Sequence, residues 1–160
     1  MLFRSTTSAG PVTARAVVLA TGGRALPRSA SSMSRVNWTP DGFIGELFKT
    51  IGKYIAPPVG LKSPALWGTK AHIAELFGDC ASAIRTEAKE FMFRYRSDDH
   101  WIEVFRTYYG PVLKAFESLD GTARAALTQD LKAMIARFNT ARDGTMVVPS
   151  TYLQVVIIKR

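Results

Sequence analysis

The chain has 160 residues, 47% hydrophobic and 21% charged, the composition of one globular domain rather than of a disordered chain. Its formal charge of +8 is unevenly placed: five of the 21 basic residues, Arg4, Arg15, Arg24, Arg28 and Arg35, precede the first acid, Asp41. The rest holds sixteen basic and thirteen acidic side chains, with no basic stripe among aromatics to meet nucleic acid and no apolar run of about 18 residues to cross a membrane.

Residues 1–35 are rich in Ser, Thr, Arg and Ala and lack acids, the make-up of an organelle transit peptide or a disordered arm. An apolar patch at Ala16–Ala20, ended by Gly22-Gly23, could form a short strand. Ala20-Thr21-Gly22-Gly23 is also similar to a turn of flavin-binding oxidoreductases, but no G-x-G-x-x-G precedes it. From Thr39-Pro40-Asp41 a helix is expected, with Thr39 or Asp41 as N-cap and Phe43, Ile44, Leu47, Phe48 and Ile51 at helical spacing. Pro57-Pro58 cannot continue it. A second helix is expected over about 68–78, ended by Gly78.

Alternation of Phe91, Phe93 and Tyr95 with Met92 and Arg94 predicts a strand over 87–95. Ser97 then caps a helix whose first turn carries Asp98 and Asp99. Trp101, Phe105, Tyr108, Val112, Phe116 and Leu119 form an apolar stripe that Gly110-Pro111 must kink or split. Asp120 opens a further helix with Leu127, Leu131, Met134, Ile135 and Phe138 on one face, stopping near Asn139. The tail 145–158 is β-branched and almost without polar alternation, so it reads as a strand covered on both faces. The fold class is therefore α/β, with no internal repeat.

Chemistry-bearing motifs are few. The sequence has no P-loop, G-x-S-x-G, H-E-x-x-H or C-x-x-C. Cys80 alone excludes an intramolecular disulfide framework and reads as a small buried thiol rather than a nucleophile, and His100 as a first-turn surface residue rather than a general base. No metal site is expected. Trp38, Phe43, Trp67, Tyr108 and Tyr109 are the aromatics that could line an apolar pocket.

Several stretches carry a resemblance. They are Asn37-Trp38-Thr39-Pro40-Asp41-Gly42-Phe43-Ile44-Gly45, Lys62–Thr69, Phe91–Tyr95, Trp101–Phe116 and Asp143–Pro149. From about Val36 the chain resembles the C-terminal portion of class I S-adenosylmethionine-dependent methyltransferases. The resemblance implies an incomplete Rossmann-like sheet, with strands five to seven of the order 3-2-1-4-5-7-6 and flanking helices. Asn37-Trp38 would follow strand five, residues 90–95 would be strand six, and 145–158 the reversed strand seven. It implies a cytoplasmic transferase of one-carbon groups to a small-molecule methyl acceptor.

The family's Gly-rich turn and ribose-binding acid have no counterpart here, so no cofactor-binding residue is assigned. This chain alone is expected neither to bind S-adenosylmethionine nor to be active. A truncated or mis-framed product, with unrelated sequence before Val36, is the expectation; a transit peptide or a genuine arm stays open. Ligands of open α/β sheets bind at strand carboxyl ends. That rule selects Asn37, Trp38, Arg94, Arg96 and Thr145 as substrate-side candidates, to which Phe43 is added from the pocket aromatics, with catalytic residues unknown. The alternative is a non-catalytic interaction module that pairs, or self-associates, through an exposed sheet edge.

Overall fold

The computed structural model describes residues 32–56, 60 and 62–160. The Ala16–Ala20 patch, the flavin-like turn and most of the N-terminal arm lie outside them. The chain runs β1 (Ser32–Trp38), α1 (Phe43–Gly52), a 3-10 turn (Pro64–Gly68), α2 (Lys70–Phe77) and β2 (Ala81–Tyr95). Then come α3 (Asp98–Tyr108), α4 (Gly110–Ser118), α5 (Gly121–Phe138) and β3 (Met146–Lys159). The fold is mixed α/β, a three-stranded sheet in the order β1-β3-β2 with β3 antiparallel to both neighbours.

Caps explain the helix starts. Ser97 and Asp120 accept the N–H groups of His100 and Ala123 at 3.1 and 2.8 Å, as their sequence positions require. Thr69 accepts the His72 N–H at 3.3 Å and so opens α2. Neither Thr39 nor Asp41 caps α1, whose N-cap is Gly42. The Thr39 hydroxyl instead donates to the Thr151 carbonyl at 3.2 Å, and Ser150 Oγ accepts the Ile44 N–H at 3.4 Å. The helix is thus seated on β3 by groups distant in sequence.

Three boundaries differ from the sequence reading. β1 begins at Ser32, so residues 32–35 belong to the sheet, with Met33 and Arg35 buried. β2 begins at Ala81, earlier than the aromatic alternation indicates, because Ala81–Thr86 pair with β3 through backbone while leaving several side chains in solvent. The long apolar stripe breaks at Tyr109, whose extended backbone separates α3 from α4. That break turns Tyr108 out to 81% exposure and brings Tyr109 onto Phe105, ring centroids 4.9 Å apart.

β3 is covered differently from the expectation. Met146, Val148 and Ser150 are buried on one face; Leu153, Val155 and Ile157 are buried on the other. The first half meets the larger core, built by Phe43, Leu47, Phe93, Trp101, Leu131 and Ile135 among others. The second half meets a smaller core of Met33, Ile73, Phe77 and Ala81, against which Cys80 packs half-buried. Each face of the sheet is thus sealed along only part of its length.

Candidate functional site

The six substrate-side candidates do not converge. Trp38 stands in register with Tyr152, and Tyr152 with Lys89. Arg94 lies five residues further along β2, about 17 Å at the usual strand rise. Equal strand lengths would have brought the two sets together; the longer β2–β3 ribbon separates them. Phe43 belongs to neither set. It is fully buried, with Phe93, Trp101 and Phe138 ring centroids at 5.8, 5.2 and 5.7 Å, and packs as core.

At the end of β1, Trp38 forms an aromatic shelf with Phe91, Phe93 and Tyr152 at 6.2, 5.6 and 6.0 Å. Phe91 is half-exposed there. Asn37 points to the opposite face, and its Nδ2 is buried without a hydrogen-bond partner among the described residues. Below it the Arg35 guanidinium lies 4.1 Å over the Trp67 ring. Tyr108 is not part of this shelf, and Tyr109 is core-packed.

At the far end of the ribbon, Arg94, Arg96 and Thr145 do meet, with Tyr95, His100, Met146 and Val147, around a shallow cleft of about 400 Å³. Thr145 also borders a second hollow of about 320 Å³ with Asp98, Lys132, Asn139 and Arg142. The loop between them is knitted tightly. Asn139 Nδ2 donates to the Thr145 carbonyl at 2.9 Å, and its Oδ1 accepts the N–H groups of Ala141 and Val147 at 3.1 and 2.8 Å. Asp143 accepts the Thr145 hydroxyl and N–H at 2.5 and 3.0 Å. Those two bonds, the hydroxyl's first, hold the Asp143 carboxyl below its ordinary range. Burial raises the Tyr95 phenol.

In the cleft the Arg96 N–H donates to His100 Nδ1 at 3.4 Å, and the His100 ring stands edge-on to Tyr95 at 5.5 Å. A ring that accepts at Nδ1 carries its proton at Nε2. His100, whose sequence position favours a helix-start surface residue over a general base, borders the cleft, and Asn139 and Arg142 border the neighbouring hollow without a sequence motif to mark them. Adjacency in the chain places His100 here: α3 follows β2 after two residues, so its first turn stands beside Arg94 and Arg96.

No protein-family model matches the chain. It is 32% identical over 121 residues to uncharacterized proteins of Mycobacterium bovis (strain ATCC BAA-935 / AF2122/97) and Mycobacterium tuberculosis (strain ATCC 25618 / H37Rv), matches covering 74% of this chain and 44% of each relative. A further uncharacterized protein of the M. tuberculosis strain is 29% identical over 126 residues, with the same coverage. The chain thus spans less than half the length of these curated relatives. Among the described residues no helix is long and apolar enough to cross a membrane.

Proposed function

We propose that residues 36–160 form the C-terminal part of a cytoplasmic, class I methyltransferase-like domain acting on a small molecule. The observation that carries this reading is the sheet order. β3, last in sequence, lies between β1 and β2 and runs against both. That is the 5-7-6 arrangement, strand seven reversed, which the resemblance implies. The substrate end of such a domain is the carboxyl end of β2 with the start of β3; Arg94, Arg96 and Thr145 lie there.

The described residues offer no Gly-rich turn after a parallel strand to hold the cofactor. A nucleotide-like ligand needs glycines that leave backbone open to it. The two glycines next to the β1 end are closed to it: an added Cβ at Gly45 would meet the Pro40 carbonyl oxygen at 2.3 Å, and at Gly68 the Trp38 carbonyl oxygen at 2.0 Å, whereas open glycines such as Gly110, Gly121 and Gly144 follow no parallel strand of this sheet. The protein's own backbone fills those spaces. No methyl-transfer step is therefore assigned to these residues. Titration calorimetry with S-adenosylmethionine tests the reading. A full-length mycobacterial relative is expected to bind saturably, and this chain alone not up to about 1 mM, a level near −4 kcal/mol. A relative that does not bind the cofactor would overturn the methyltransferase reading.

A second reading, an interaction module pairing through the sheet edge, is favoured by a contrast between the two outer strands. β2 carries Arg85, Glu87, Lys89, Glu90 and Arg94, charges of the kind that blunt an edge. β1 carries only Arg35, turned inward, and leaves Val36 58% exposed. Light scattering on the eluting chain is expected to give more than 17.6 kDa, and Val36→Lys to restore the monomer. A wild-type chain that elutes as a monomer across the concentration range would remove this reading.

A further inference from the structure

The cations near the end of the β2–β3 ribbon fall into two groups. Lys132 is held by Asp99 at 2.7 Å and Arg106 by Glu103 at 2.6 Å. Arg94, Arg96 and Arg142 make no ion pair among the described residues. Arg94 and Arg96 line the 400 Å³ cleft with His100, and Arg142 lines the neighbouring hollow that shares Thr145.

Of the acids Asp98, Asp99 and Asp143 only Asp99 is ion-paired, to Lys132. Asp98 accepts the Asp99 N–H at 2.8 Å and Asp143 is engaged by Thr145, and neither reaches an arginine among the described residues. Two guanidinium groups on one cleft without carboxylate partners leave their donors to a ligand anion. Guanidinium groups supply paired donors that match the oxygens of a carboxylate or phosphate. The His100 ring, engaged at Nδ1 by the Arg96 N–H, presents Nε2–H as a further donor. The cleft is shallow and open to solvent, so a small anion rather than a large ligand suits it.

We infer that this cleft binds an oxyanion of a small molecule, a carboxylate or phosphate, through Arg94, Arg96 and His100. The inference deepens the reading above, on which it rests only for the ligand's being the methyl acceptor. Anion binding itself rests on the cleft.

The chain's two histidines give the test its own control. His72 lies on α2, its ring 3.0 Å from Glu75 and outside the cleft. The C2–H proton resonances of both rings are followed by NMR in the full chain at constant ionic strength. Inorganic phosphate and, separately, acetate are added to about 20 mM, enough for a dissociation constant of millimolar order. The His100 resonance is expected to shift saturably with at least one anion while His72 does not follow. Saturation with phosphate alone identifies a phosphate site, with acetate alone a carboxylate site, and with both a general oxyanion site.

The Arg94→Gln/Arg96→Gln double variant is expected to weaken binding by about tenfold or more, as loss of charge-assisted bonds implies. Arg85→Gln, at the other end of β2, is expected to leave it unchanged. Failure to saturate with either anion, His72 moving in parallel, or an unaltered double variant would overturn the site. Since no S-adenosylmethionine is present, a saturable anion with a relative that fails to bind the cofactor leaves the site standing and removes only the methyl acceptor.

Discussion

Gly68 and Gly121 lack the same atom to opposite effect. A Cβ at Gly68 would sit 2.0 Å from the Trp38 carbonyl oxygen, 2.6 Å from its carbon and 2.8 Å from Thr39 Cα, all backbone atoms that cannot swing aside. Nothing lies within 4 Å of the corresponding point at Gly121, the first residue of α5. Gly68→Ala is expected to cost about 3 kcal/mol or more, at the upper end for overpacking. Gly121→Ala is expected to stabilise by about 0.4–1 kcal/mol, through the restricted unfolded chain. Denaturant unfolding of both variants checks the pair, and equal midpoints would contradict it. Asn37 offers another single-residue test, because its buried Nδ2 has no partner among the described residues. Asn37→Val suits a strand and removes the unpaired donor, so a gain of about 1 kcal/mol is expected. A lower unfolding midpoint would show that the amide is satisfied in solution.

At the scale of elements, α1 and α5 are clamped by charge as well as by apolar contact. Glu46 accepts from Lys49 at 2.6 Å and from Arg137 of α5 at 3.0 Å, while Lys53 reaches Asp130 at 3.1 Å. The Lys49 bond, against the opposing effect of burial and with help from Arg137, holds the Glu46 carboxyl below its ordinary range. A depressed carboxylate stabilises fully above its unfolded-state range and loses that contribution as pH falls through its folded value. Glu46→Gln is therefore expected to lower the unfolding free energy at neutral pH by less than about 1 kcal/mol, read from denaturant unfolding, as suits a partly exposed bridge. The difference should vanish in acid; a constant offset across pH would assign the effect to packing instead.

The broken α3–α4 stripe gives a second test at this scale. Phe105 is buried and Phe116 only partly so, and Phe105→Ala is expected to cost about 3–5 kcal/mol. Phe116→Ala is expected to cost clearly less. Equal losses would mean that the rim is packed as tightly as the centre.

These elements also show what could be read in advance. Ser97 and Asp120 announced their helices because a cap acts within one turn, and the α5 face followed from 3.6-residue spacing alone. Tyr108 and Tyr109 exchanged roles because spacing assumes an unbroken helix, and Gly110-Pro111 reset the phase. Arg94, Arg96 and Thr145 were legible as residues near strand ends. Their distance from Trp38 was not, since it depends on how far β2 and β3 outrun β1, a tertiary quantity.

For the whole molecule, the start of β1 is the decisive boundary. Met33 is 3% and Arg35 6% exposed, and Met33 belongs to the smaller core. A chain beginning at Val36 is expected to melt several degrees below one beginning at Ser32, since loss of a buried Met-sized side chain costs about 2–5 kcal/mol. Coincident thermal transitions would show that Ser32–Arg35 add nothing to the fold.

The change of covered face along β3 should be visible in time as well as in space. Amide hydrogens exchange through local openings whose free energies follow cooperative units of packing. The larger core joins α1, α3, α4 and α5 to the first half of β3; the smaller joins α2 and Met33 to its second half. Exchange is therefore expected at two tempos. Deuterium should enter α2, β1 and the β3 amides beyond Leu153 well before those of α5 and of β3 up to Ser150. The step between the two rates falls where the buried side chains change sides, so β3 is a single strand by hydrogen bonding and two strands by lifetime.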